Sequence, residues 1–173
     1  MSRVAPLIAL VAFSLCSCPA PSPVPGDRTI GVFDFEAVLV EDGCQFLSGG
    51  LPSTFSATLS LETGSDRAFL TFGAASLEGT LTADRLSVSA TSRRTTEEPC
   101  DCTFRLTERI EATVAKPGSC GADAGEPAAL LPDGGLEIRQ LCGFLRDEVS
   151  ELDGSSCTCA PCAAVWTLVG TRQ

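Results

Sequence analysis

The chain has 173 residues, 22 of them acidic and 12 basic, for a net charge of -10, which argues against nucleic acid and anionic lipid headgroups as partners. It contains no histidine and no tyrosine, so the commonest general base and a common proton donor are missing. Ten cysteines are many for a protein kept in a reducing compartment.

Residues 1–17 hold one basic residue, Arg3, an apolar run from Val4 to Leu15, and a small residue before a cysteine, the order of a signal sequence. The run falls short of the roughly 20 apolar residues a membrane span needs. Within it, Leu15-Cys16-Ser17-Cys18 resembles the lipobox of bacterial lipoproteins. The resemblance implies a diacylglyceryl group on the Cys18 thiol, cleavage before Cys18 and acylation of the new amine. Cys16 fits less well, because it would place bulky Leu15 just before the cut. Several acyl chains on one residue anchor stably where a single chain does not, so the expected partner is a lipid bilayer. Pro19 follows the modified cysteine. In the lipoprotein family an Asp there favours the inner membrane, so the resemblance leans to the outer membrane of the envelope.

Residues 19–26 contain four prolines, Pro19, Pro21, Pro23 and Pro25, which gives an extended spacer of about 3 Å per residue. The chain therefore divides into a signal peptide at 1–17, a lipid-anchored tether at 18–28 and a folded domain at 29–173.

In the folded part, alternation of apolar and polar residues dominates, the pattern of half-buried antiparallel strands. A first strand spans 29–41, with Phe33, Phe35, Ala37 and Leu39 in one phase. Phe55, Ala57, Leu59 and Leu61 mark the second, 68–72 the third, and Leu77, Gly79 and Leu81 the fourth. Leu86, Val88 and Ala90 follow across an Ala83-Asp84 link, so that Leu81 faces Leu86 and Gly79 faces Val88. Residues 93–99 are charged and read as the solvated end of a hairpin. The longest alternation comes next, with Phe104, Leu106, Ile110, Ala112 and Val114 in one phase. Glu108 falls in that apolar phase, and a β-bulge that turns it outward is expected, because an unpaired buried carboxylate is costly. Residues 117–135 read as a surface loop rich in Gly, Ala, Pro and Asp, without the spacing of a calcium loop.

The segment from Ile138 to Leu152 also fits a helical period, through Ile138, Leu141, Cys142, Leu145, Val149 and Leu152. Against the helix stands an internal repeat: Leu77, Gly79, Leu81, Asp84, Leu86 and Ser87 match Leu141, Gly143, Leu145, Asp147, Val149 and Ser150, with one residue deleted at the turn. Each copy is followed by Cys-x-Cys and a strand-like run, so the second copy is expected to form a hairpin with Asp147 at its turn. Eight or nine strands joined by hairpin-length links predict an all-β fold, a single antiparallel meander closed as an up-and-down barrel or strongly curved into a sandwich. A polar outer phase argues against a barrel that spans the membrane.

Beyond Cys16 and Cys18 eight cysteines remain: Cys44, Cys100, Cys102, Cys120, Cys142, Cys157, Cys159 and Cys162. An even number in an exported chain predicts four disulfides, whose pairing spacing alone does not give. Thiolates of Cys157, Cys159 and Cys162 could instead hold a metal, and Cys159 and Cys162 have redox C-x-x-C spacing. Without histidine, and without a βαβ pattern, both readings are set aside. No cofactor and no metal is expected.

No serine lies in a Gly-x-Ser-x-Gly or Ser-x-x-Lys motif. Asp34 and Glu36 share one strand face, as a carboxylate pair of a glycosidase would, but same-face acids on an outer strand usually only solvate it. Trp166, in phase with Ala164 and Leu168, reads as core. The sequence thus describes a non-catalytic envelope domain with a binding or structural role. Its alternatives are a lipocalin-like carrier, whose interior would hold an apolar ligand with Glu108 facing it, and a protein-binding inhibitor module.

Overall fold

A computed structural model of the protein describes residues 24–44, 54–95, 102–120, 137–153 and 161–173. Eight strands follow one another: β1 (Arg28–Asp42), β2 (Thr54–Leu61), β3 (Arg67–Phe72), β4 (Ala75–Thr82), β5 (Arg85–Thr95), β6 (Thr103–Ala115), β7 (Gln140–Asp153) and β8 (Cys162–Arg172). Each pairs antiparallel with the next, and β1 pairs with β8. The meander is therefore a closed barrel and not a curved sandwich. Closure leaves no sheet edge with unpaired backbone groups.

Strict period-two patterning selects the inside. Phe33 and Phe35 on β1, Leu59 on β2, Leu70 on β3, Leu77 on β4, Leu86 and Val88 on β5, Ile110 on β6, Leu141 on β7 and Leu168 on β8 are all buried in one cluster. Phe35 stacks on Phe55 with centroids 5.0 Å apart. In a barrel of eight strands, inward side chains of this size form the core. The opposite phase carries charge: Arg67 pairs with Glu78, Arg109 with Glu111 and Arg146 with Glu148, all well exposed. Exposed pairs of this kind contribute at most about 1 kcal/mol each. They mark a face turned to water and not to lipid.

The link between β4 and β5 is two residues long, with Ala83 in the left-handed region at φ 53°. Leu81 pairs with Leu86 and Gly79 with Val88, as the alternation predicts. β5 runs on through Arg93, Arg94 and Thr95, which lie in strand where a hairpin end was expected. Residues 25–27, placed in the tether by their composition, touch the barrel. Ser60 donates to the Pro25 carbonyl, and Thr63 donates to Asp27 Oδ1 through its amide (2.7 Å) and its hydroxyl (2.9 Å).

The repeat is only half realised. Residues 140–153 form one continuous strand and not a second hairpin, because they pair along most of their length with β6 on one side and β8 on the other. The deleted residue leaves no room for a turn like Ala83-Asp84. Asp147, aligned with the turn residue Asp84, therefore lies inside a strand. What the two copies share is the glycine. A Cβ on Gly79 would come 1.9 Å from the Ser87 carbonyl oxygen, and one on Gly143 would come 1.9 Å from that of Glu111.

Two disulfides are in view. Cys44–Cys162 (Cα–Cα 5.2 Å) joins the residues at the end of β1 and the start of β8, the two strands that close the barrel. Cys120–Cys142 (5.5 Å) fastens the chain after β6 to the outer face of β7. Cys102 is also disulfide-bonded. Cys18, Cys100, Cys157 and Cys159 lie outside the described residues.

Candidate carboxyl pair inside the barrel

Glu108 does not sit at a bulge. The β5–β6 register is unbroken from Arg85 to Thr95, and the β6–β7 register shifts only between Thr103 and Arg105. The glutamate therefore keeps the inward phase of Ile110, Ala112 and Val114, half-buried. No bulge relieves the cost of a buried carboxylate here. Directly opposite Glu108 across the strand pair lies Asp147, itself inward-facing and only 5% exposed.

The flanking strands put small apolar groups beside the two acids. Ala90 on β5 pairs with Glu108, and Ala164 on β8 pairs with Asp147. Neither can hydrogen-bond through its side chain, and Asp147 Oδ1 is buried without a partner. Burial first, and the neighbouring Glu108 second, push the Asp147 carboxyl up to about 7. A carboxyl so placed keeps its proton through mildly acidic conditions, as expected where desolvation and a like charge both disfavour the ionised form.

The pair also divides the interior. On one side of it Ile110 and Leu145 belong to the main apolar cluster. On the other side Leu106 and Val149 pair with each other and belong to a second, smaller cluster with Cys44, Phe104 and Cys162.

The other candidates are not brought together. Asp34 and Glu36 are exposed on the outside of β1. Ser56 (2.6 Å) and Gln173 (2.9 Å) donate to Asp34 Oδ1 and hold its carboxyl below the usual range, the reverse of what a general acid needs. Cys162 is bonded to Cys44, so it is neither a third thiolate beside Cys157 and Cys159 nor the redox partner of Cys159. Among the described residues no group of three or more Cys, Asp or Glu side chains converges on a metal position. Trp166 is core, 5% exposed.

Asp147 is the residue that sequence reading missed. Its signal was present: in strand phase it falls with Leu141, Leu145 and Val149, as Glu108 falls with Ile110. No family model, no curated protein and no solved structure matches the chain. Fold and site together define a disulfide-bonded, eight-stranded meander barrel with a carboxyl pair inside.

Proposed function

We propose that this barrel is the folded domain of a lipid-anchored envelope protein, held by acyl chains on Cys18, and that it works without catalysis, through its surface. The observation that carries the second half is the cluster of buried phenylalanine, leucine and tryptophan side chains on the inward faces of the strands, where a carrier would hold its ligand. Exposed Val38 and Val40 on β1 and Phe144 on β7, the two strands that flank β8 at Thr167, favour contact with another macromolecule there, since exposed apolar side chains on one face are a common interaction surface. Glu108 and Asp147 face the interior as well, and two acids suit an apolar cargo poorly.

Two measurements test the reading. A Cys18→Ala protein should lose labelling by an alkyne fatty acid and move from the membrane to the soluble fraction of the envelope; a variant that stays membrane-bound places the anchor elsewhere. Trp166 is the single tryptophan and lies inside the barrel, so its emission reports on any guest there. Titration with a long-chain fatty acid should leave that emission unchanged, and a saturable shift would restore the carrier.

A further inference from the structure

We propose that Glu108 and Asp147 form a proton-operated latch, in which β6 and β7 stay paired beyond the two acids while the pair holds a proton and part there with release of that proton. The inference rests on the barrel alone and does not depend on the lipid anchor.

Three observations carry it. The acids stand opposite each other in one register position of β6 and β7, so their charges cannot avoid each other while the strands are paired. Asp147 is almost wholly buried, with an oxygen that no group satisfies. The strand ends beyond it are held inside by a small cluster, Cys44, Phe104 and Val149 with Leu106 and Cys162, separate from the main core. Strand ends packed on a cluster separate from the main core can open locally while the remainder stays folded.

Among the described residues no cation faces the pair from the surrounding strands. On β5 the inward phase runs Ala90, Ser92, Arg94. Arg94 lies four register positions away, opposite Phe104, is exposed, and donates to Ser92 Oγ at 3.2 Å. On β8 the neighbours are Ala164 and Cys162. On β1 the residue paired with Ala164 is Asp42, another acid, exposed at the strand end. The inward residues of β2, β3 and β4, among them Ala57, Leu59, Leu70 and Leu77, are apolar. Arg105, Arg109, Arg146 and Glu148 stand on β6 and β7 in the opposite phase, outside the barrel. Glu108 is the charge that acts on Asp147.

The sign follows from where the proton is held. In the closed barrel the Asp147 carboxyl is raised to about 7, against 3.8 for the free group. The stabilisation of the closed form is therefore complete below the free value and is lost as pH rises toward the closed-state value. Between the two the closed form holds a proton that the open form has given up. Opening should then grow by about tenfold per pH unit over that window and level off above it.

Amide hydrogen exchange, corrected for the intrinsic dependence on pH and read by mass spectrometry on segments 103–108 and 147–153, tests this. Protection there should fall by about tenfold per pH unit between roughly pH 5 and 7 and be flat above, while segments 110–115 and 140–145 keep theirs. Asp147→Asn should abolish the slope, and Glu108→Gln should move its upper limit to lower pH. A flat wild-type profile, an equal slope in all segments, or a slope that survives in Asp147→Asn overturns the latch. Should the Asn variant not fold, carboxyl-carbon NMR of the wild-type protein decides instead. A midpoint for Asp147 near 7 that coincides with the pH at which protection of 103–108 stops falling supports the proposal, and one in the ordinary carboxylate range, or one unrelated to that pH, overturns it.

Discussion

The β4–β5 hairpin and the β6–β7 pair solve the same packing problem with different means. In each, an inward glycine lets the neighbouring strand approach so closely that a methyl group would collide with its backbone, at Ser87 for Gly79 and at Glu111 for Gly143. Inside the hairpin the remaining inward pairs are apolar, such as Leu81 with Leu86, and a two-residue turn joins the strands. Inside β6–β7 one pair is acidic, the connection covers residues 116–139, and a disulfide fastens part of it to β7. Both pairs are flanked by further strands in the closed barrel. What sets β6–β7 apart is the pair of acids inside it and a disulfide at its connection where β4–β5 has a short turn.

Covalent support is where the largest effect is expected. Cys44–Cys162 spans 118 residues and Cys120–Cys142 spans 22. In the chain-entropy model a loop of about 100 residues contributes about 4.7 kcal/mol and one of 15 about 3. Replacing both cysteines of either bridge by alanine should lower the free energy of denaturant unfolding, by more for Cys44 and Cys162 than for Cys120 and Cys142. Loss of the second bridge should also fall on β6–β7 and spare β4–β5 in a hydrogen-exchange map. Uniform loss over both strand pairs would mean that the bridge acts on the whole barrel and does not distinguish them.

A smaller effect sharpens the likeness. Gly79→Ala and Gly143→Ala should each destabilise by about 1 to 3 kcal/mol, the usual cost of overpacking. Backbone is what the new methyl meets in both cases, and backbone yields less easily than a side chain. Had residues 140–153 been helical, the second substitution would have stabilised by up to about 1 kcal/mol. Calorimetric melting of the two variants therefore checks both the equivalence of the glycines and the strand assignment. A neutral Gly143→Ala would show that β6 can shift where β5 cannot.

The helical ambiguity of β7 has a simple cause in its inward residues. In strand phase these are Leu141, Gly143, Leu145, Asp147 and Val149. The two that are not large and apolar are the second and fourth, which leaves Leu141, Leu145 and Val149 spaced by four, the spacing of a helix face. Glycine and aspartate stand at those positions for tertiary reasons, a close backbone approach to β6 and a carboxyl partner on β6. Reading β7 alone could reveal neither. Glu108 shows the same limit from the other side: its phase was legible, but a single chain segment cannot show that a second acid waits across the ladder, so a bulge was the cheaper expectation. The repeat pointed correctly to strand and to paired glycines, and misled at Asp147, because likeness to Asp84 could not show that the turn beside it was missing.

By itself the sequence determined the all-β class, most inward residues of six of the eight strands (Leu39 of β1, exposed beside a register shift, and Glu108 of β6 excepted), the β4–β5 register and the cysteine-rich character of the domain. Those follow from period-two alternation and from turn residues acting over a few positions, where the chain's own sterics and hydrophobicity suffice. Tertiary structure alone decided the closure of β1 on β8, the pairing of Cys44 with Cys162 and of Cys120 with Cys142, and the meeting of Glu108 with Asp147. Each brings together residues far apart in the chain, and the energy that selects such a contact comes from packing and desolvation in the closed barrel, which no local pattern encodes.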